Sequence, residues 1–230
     1  MNVIVASRPL ADPVPINAAM TASAFAEYVH YGCLFSAPET WLNFDASPTL
    51  RFERIPVLGR LYTKNDRRFP PNVRYGNIVH GLPVPENSCR GLYSSHVLEH
   101  LALVDCRKAL RNSFRYLQPG GVFRMVLPDL ETLARNYLAN PSSTAAHKFM
   151  QETILGCEER RRGLSALLFS WLGNSRHLWM WDYKALDHEL RQAGFREIRR
   201  AYFGDAQDPR FADVEDKGRF DGCLAIECKR

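Results

Sequence analysis

No apolar stretch in this sequence approaches the roughly 20 residues that a bilayer-spanning helix requires; segments such as Ala166–Phe169 are far shorter. A transmembrane helix is therefore not expected. The six cysteines, Cys33, Cys89, Cys106, Cys157, Cys223 and Cys228, include no Cys-x-x-Cys pair. That argues against a zinc knuckle or a redox couple, and for reduced, mostly buried thiols. The opening MNVIVASRPLADPVP has no basic residue before Arg8 and soon meets Pro9, Pro13 and Pro15. This matches a secretory signal poorly, so a cytoplasmic location is expected. Repeats, low-complexity tracts and long linkers are lacking too. Charge of one sign is in only slight excess, 30 Lys+Arg against 25 Asp+Glu for a net +5. The densest basic runs, Glu158–Arg162 and Arg196–Arg200, read as solvated faces, and no nucleic-acid partner is expected.

What is present is 230 residues, 46% apolar and 24% charged, the composition of one ordinary globular domain. A chain of this size buries roughly 70% of its unfolded surface, so neither disulfides nor metal are needed for stability.

Glu27–Tyr31 and Trp41–Asp45 read as strands, β-branched and aromatic residues alternating up to Gly32 and Asp45. Only Cys33–Thr40, with Pro38 inside it, separates them. A parallel crossover normally takes a dozen or more residues, so either this crossover is unusually short and irregular or one of the two strands is absent. Thr49–Lys64 suits a short helix broken at Pro56 and Gly59. Val73–Val79 and Arg90–Ser94 follow as strands. Asp105 opens an amphipathic helix with Leu110, Phe114 and Leu117 on one stripe, which Pro119, Gly120 and Gly121 are expected to stop. Gly121–Leu127 reads as a buried strand turning at Pro128-Asp129. Leu130–Trp181 has a helical pattern, with Leu133, Tyr137, Phe149, Ile154, Leu164, Leu168 and Trp171 expected inward. Asp182 is a natural N-cap and Gly194 a natural stop for a helix over Tyr183–Ala193. Strands are expected at Glu197–Phe203 and Gly222–Cys228. Alternating strands and helices imply an open α/β sheet.

In such a sheet, ligands bind outside the carboxyl ends of the strands, near the reversal of strand order. The candidates at those ends are Gly32, Asp45, Asn77, Ser94–His96 and Pro128-Asp129. An acid ending a second strand can accept hydrogen bonds from both hydroxyls of a ribose, or can simply cap the next turn.

The run YSSHVLEHL (Tyr93–Leu101), followed by LQPGGVFRMVLPDL (Leu117–Leu130), resembles the fourth and fifth strand region of class I S-adenosylmethionine-dependent methyltransferases. The likeness extends back through YGNIVHGLPVPENS and forward to DYKALDHELRQAGFREI, covering roughly Glu27–Arg230. It implies a Rossmann-like class I methyltransferase fold: a mostly parallel seven-stranded sheet with helices on both faces. A helical insert or lid over 130–181 would follow strand five, and a leader over 1–25 would precede strand one. It implies S-adenosylmethionine as cofactor, bound by Tyr31, Gly32 and Cys33 of the glycine loop, by Asp45 at the ribose, by Asn77 and Ile78 at the adenine, and by Ser94, Ser95 and His96. It also implies methyl transfer to a small-molecule or glycan-related acceptor, with His96, His100 and His177 as the available imidazole bases. Tyr137, Trp171, His177, Trp179 and Trp181 of the insert offer an aromatic wall for such an acceptor, or else serve as core.

Two departures stand out. Leu34 occupies a place where the family has glycine, and Asn77 one where Asp is common; the Asn amide oxygen still accepts a hydrogen bond. With no room for the usual first crossover helix, Ile16–Phe25 of the leader would cover that face. The damaged loop also motivates a non-catalytic relative that keeps the fold as a binding module. His96-x-x-Glu99-His100 separately matches the His-x-x-Glu-His pattern of inverted zinc peptidases. That reading needs the pattern inside a helix and a third ligand such as Glu131, Glu152 or Glu158. The resemblance itself implies no metal.

Overall fold

The computed structural model describes residues 27–57, 59, 67–158 and 176–230. These form a seven-stranded sheet of β1 (Tyr28–Tyr31), β2 (Leu42–Asp45), β3 (Val73–Tyr75), β4 (Cys89–Ser95), β5 (Leu117–Pro128), β6 (Arg196–Arg200) and β7 (Cys223–Lys229). Their spatial order is β3-β2-β1-β4-β5-β7-β6. β1 pairs in parallel with both β2 and β4, β2 with β3, and β4 with β5, whereas β7 runs antiparallel to β5 and β6. Strand order therefore reverses beside β1, which places the topological switch point between the ends of β1 and β4.

Both early strands exist. The register Val29↔Leu42 to Tyr31↔Phe44 joins them in parallel across the irregular segment 32–41, so the short crossover is real. The Gly32 and Cys33 amides both donate to the Phe44 carbonyl, at 2.8 and 3.2 Å. Those two bonds tie the start of the crossover to the end of β2. Ile16–Phe25, expected to cover this face, lies outside the described residues.

Six helices are described: α1 (Pro48–Glu53), α2 (Leu103–Tyr116), α3 (Leu130–Ala139), α4 (Ala145–Glu152), α5 (Tyr183–Gln192) and α6 (Lys217–Phe220). On one face of the sheet Cys106, Ala109 and Leu110 of α2 and Leu186 and Leu190 of α5 pack on Leu92, Phe123, Met125 and Ile226. Their three- and four-residue spacing is the cause: it places these side chains on one stripe of each helix. On the other face Tyr28, Trp41, Tyr93 and Val126 meet Phe211 and Val214, the former from a 3₁₀ turn over Pro209–Asp213. Asp182 caps α5 as expected, its Oδ1 accepting from the Ala185 amide at 2.8 Å. Gly194 ends that helix with φ +104, where an added Cβ would stand 2.9 Å from the Phe114 ring.

Four expectations need correction. Pro119-Gly120-Gly121 does not stop α2, which ends at Tyr116; it lies within β5. The register jumps there from Cys89↔Leu117 to Gly91↔Val122, so the Pro-Gly-Gly turn is a bulge, with Gly120 at φ +77. The expected third strand stops at Tyr75, because Asn77 turns the chain: its Oδ1 accepts from the Val79 amide at 2.9 Å. The expected sixth strand stops at Arg200 instead of Phe203. In the insert, α3 buries no residue, Tyr137 is exposed and packs on Phe149, and Ile154 is exposed. Amphipathic spacing there marks a helix pair leaning on itself more than on the core. Leu164, Leu168 and Trp171 lie outside the described residues. The far end of the insert returns to the sheet where Trp181 bridges Asp129 and its carbonyl accepts from the Leu130 amide.

The basic strand Arg196–Arg200 is only partly solvated. Arg199 pairs with Glu227 and Asp205, and Arg200 lies over the Tyr183 ring. No helix among the described residues is long and apolar enough to cross a membrane.

Candidate functional site

The carboxyl ends of β1, β2 and β4 converge, as strand order alone requires. After β1 the chain turns at Gly32 with φ +69, and an added Cβ there would stand 2.1 Å from Val97 Cγ2. Glycine is thus demanded twice, by conformation and by close approach. Leu34 adopts φ +48 although it carries a branched side chain. Its amide donates to Asp45 Oδ2 at 3.1 Å, which holds a conformation that costs about 1–2 kcal/mol for such a residue. Its side chain remains exposed, outside the packed core.

Asp45 is buried at the end of β2. Its other oxygen, Oδ1, accepts from the Ser47 amide at 2.7 Å. Burial raises its pKa, opposed by those two backbone hydrogen bonds. The acid therefore caps its turn and clamps the loop, and each oxygen retains a lone pair for a further donor. Tyr31 points its phenol into the core, 3.3 Å from Ser113 Oγ, and Cys33 packs with Leu50, Phe69 and Val73. Ile78 is core as well, its carbonyl held by Asn112 Nδ2 at 2.7 Å. Asn77 sits half-buried at the turn after β3. Gly76 beside it is crowded by Phe44 and Leu82, so an added Cβ would not fit.

A cavity of about 280 Å³ opens over the β1 loop. Gly32, Cys33 and Leu34 line it from one strand end, Ser95 from another, and Asp216 and Arg219 close it from the region of α6. Sequence reading missed Arg219. Its guanidinium reaches the Ser95 carbonyl and hydroxyl at 3.5 and 3.4 Å, and no local motif announces a contact between segments so distant in the chain. Ser94 is buried in β4, and the cavity wall includes neither it nor Asp45, Asn77, Ile78 or His96.

His96 follows β4 with φ +56 and its amide bonds the Val126 carbonyl at 2.8 Å. Its ring lies between Ser95 Oγ, 3.0 Å from Nδ1, and Cys223 Sγ, 3.6 Å from Nε2. Burial, then Arg219 and two neighbouring imidazoles, lower its pKa to about 4, so it is neutral at physiological pH. Residues 98–100 form a 3₁₀ turn. The His-x-x-Glu-His pattern therefore does not lie on one α-helical face, and the zinc-peptidase reading loses its geometric requirement.

The fold instead brings Glu99, His100 and His177 together. Glu99 is fully buried and neither carboxylate oxygen has a hydrogen-bond partner; burial raises its pKa to about 7. His100 Nδ1 stands 3.1 Å from the Arg176 carbonyl. A carbonyl can only accept, so Nδ1 donates; in the neutral tautomer that makes this bond, Nε2 is left with the lone pair. The His177 ring centroid lies 4.9 Å from that of His100, and its buried Nδ1 has no partner. Burial and then His100 lower the His177 pKa.

The profile of a family described as a methyltransferase domain matches residues 11–199 of this chain. Three solved S-adenosylmethionine-dependent methyltransferases are similar at the level of fold. The one from Archaeoglobus fulgidus shares 12% identity, with 88% of this chain and 85% of that one covered and a TM-score of 0.47. That from Mesorhizobium loti shares 20% over 88% and 90%, with a TM-score of 0.44. That from Methanosarcina mazei shares 12% over 88% and 91%, with a TM-score of 0.47. No curated protein matches.

Proposed function

The chain belongs to this methyltransferase family, and from that premise we propose that it transfers the methyl group of S-adenosylmethionine to a hydroxyl of a small-molecule or glycan-related acceptor. The observation that carries the reading is the convergence of the Gly32 loop and Ser95 on one cavity at the switch point, with Asp45 anchoring the loop beneath. When bound there, S-adenosylmethionine supplies a methyl already activated on a sulfonium, so the protein's task is alignment and exclusion of water.

Each residue's part follows from its position. Gly32 offers a cradle that any Cβ would fill. Asp45, with a lone pair left on each oxygen, suits ribose hydroxyls, and Asn77 suits an adenine amino group. Ser95 borders the methionine portion, and Arg219 can pair with its carboxylate. Tyr31, Cys33 and Ile78 support these positions from the core. His96 stands at the same strand end, but a pKa of about 4 and ring nitrogens flanked by Ser95 and Cys223 make it a poor base for an attacking hydroxyl.

Calorimetric titration with S-adenosylhomocysteine of the wild type and Asp45→Ala tests the cofactor site. Micromolar binding, at least tenfold weaker in the variant, is expected, and would be followed by an acceptor screen. No binding up to millimolar ligand by the folded protein overturns the proposal. Leu34 at φ +48 favours the second reading, a binding module that keeps the fold without the reaction. Failure of the wild type and recovery of binding in Leu34→Gly would establish it.

A further inference from the structure

We propose that Glu99, His100 and His177 bind a divalent first-row transition-metal ion. One ligand-capable atom from each residue lies within 4.8 Å of the other two. Ligand atoms about 2.1 Å from a common ion stand roughly 3–3.5 Å apart, so small side-chain rotations close the shell.

Three observations independent of that proximity point to an ion. First, Glu99 is fully buried with both carboxylate oxygens lacking a partner. Buried carboxylates are costly unless paired or coordinating a metal. Second, His177 Nδ1 is buried and unpartnered in the same cluster. Third, the His100 Nδ1 bond to the Arg176 carbonyl sets the tautomer that exposes Nε2, the outer hydrogen bond that orients metal-bound imidazoles.

The backbone pre-arranges the cluster. The Leu178 and Trp179 amides both donate to the Glu99 carbonyl, at 2.7 and 3.2 Å, which ties the segment bearing His177 to the 3₁₀ turn bearing the other two. Two neutral imidazoles and one carboxylate suit Zn²⁺, Mn²⁺ or Fe²⁺ better than the all-oxygen preference of Ca²⁺ or Mg²⁺. Three protein ligands leave a position open for water or another oxygen donor. His96 stays outside the set because Ser95 and Cys223 flank its ring nitrogens.

The test uses the full chain freed of metal by chelation and dialysis, with no cofactor present, so it does not depend on the methyl-transfer reading. Zn²⁺ alone is titrated by calorimetry and Co²⁺ by visible absorption, for the wild type, Glu99→Gln, His177→Ala and, as a control, His147→Ala at an exposed site. One equivalent should bind, with a rise in Tm. Affinity should fall at least tenfold in Glu99→Gln and His177→Ala and stay unchanged in His147→Ala. Glu99→Gln keeps the side chain's size and removes the buried ionisable group, so its metal-free Tm should equal or exceed that of the wild type. Absence of Zn²⁺ binding by folded wild type, or equal binding by all four proteins, overturns the proposal.

Discussion

Two polar regions of this molecule, each centred on side chains hidden from water, are oppositely served by the protein. Around Arg124, every charge is answered. The guanidinium is buried in β5 and meets Glu215 at 2.5 Å, Glu227 at 2.7 Å, Asp205 at 3.1 Å and the Tyr202 carbonyl at 3.2 Å. Arg199 completes the network on Glu227 and Asp205. At the carboxyl edge of the sheet, by contrast, His30 Nδ1, both Glu99 oxygens and His177 Nδ1 are buried without partners. The first region closes on itself and fastens β5, β6 and β7 to the segment carrying Glu215. The second is left open by the fold, and buried polar atoms left open are where ligands are to be sought.

The most damaging way to break this contrast is Arg124→Met, which strips the buried Glu215 of its guanidinium and leaves Glu227 only Arg199. A loss of about 3–5 kcal/mol in urea unfolding at pH 7 is expected; replacing both acids as well, Glu215→Leu and Glu227→Leu, should recover most of it.

The open region should answer to acid. His30 is buried between the Trp41 and Tyr93 rings, and desolvation first, then Arg219, lowers its pKa to about 3. With the folded value below the ordinary 6.5, the unfolded chain takes up the proton first. The stability His30 gives above pH 6.5 is therefore lost as pH falls toward 3, by about 3 kcal/mol between pH 6.5 and 4. Urea melts at both pH values should show a smaller drop for His30→Phe than for the wild type.

Gly32→Ala should cost about 2 kcal/mol, from the contact with Val97 together with the positive φ. Measured against Val97→Ala alone, the same glycine substitution should cost only about 1 kcal/mol, from the positive φ, and thermal melts of the two single variants and the double separate the causes. The smallest effect, about 1 kcal/mol, is expected at Asp182→Ala, which removes an N-cap distant from either polar region. A loss of similar size at Arg124 would erase the distinction between network and periphery.

Much of the sheet is legible in the amino-acid sequence. The β1, β2, β4 and β7 segments and the cores of α2 and α5 announce themselves because alternation, three-to-four spacing, Asp182 and Gly194 are local signals. Leu117–Gly121 was misread because a Pro-Gly-Gly turn ends helices as readily as it bulges a strand, and only pairing with Cys89 and Gly91 distinguishes the two. In the candidate site, Gly32, Asp45 and Ser95 could be named from the ends of their strands, whereas Arg219 could not. The zinc-peptidase reading of His-x-x-Glu-His requires a helix and a downstream carboxylate such as Glu131, Glu152 or Glu158; the fold gives a 3₁₀ turn and places His177 beside Glu99 and His100.

The sequence by itself determined where the chain turns, caps and alternates, and hence an α/β sheet, because those preferences act over a few neighbouring residues. Tertiary structure alone decided which buried charges are paired. Arg124 meets Glu215 and Glu227 across long separations in the chain, whereas Glu99 and His177, also distant in sequence, are brought together without a hydrogen bond, since compensation of a buried charge depends on the elements that packing brings beside it.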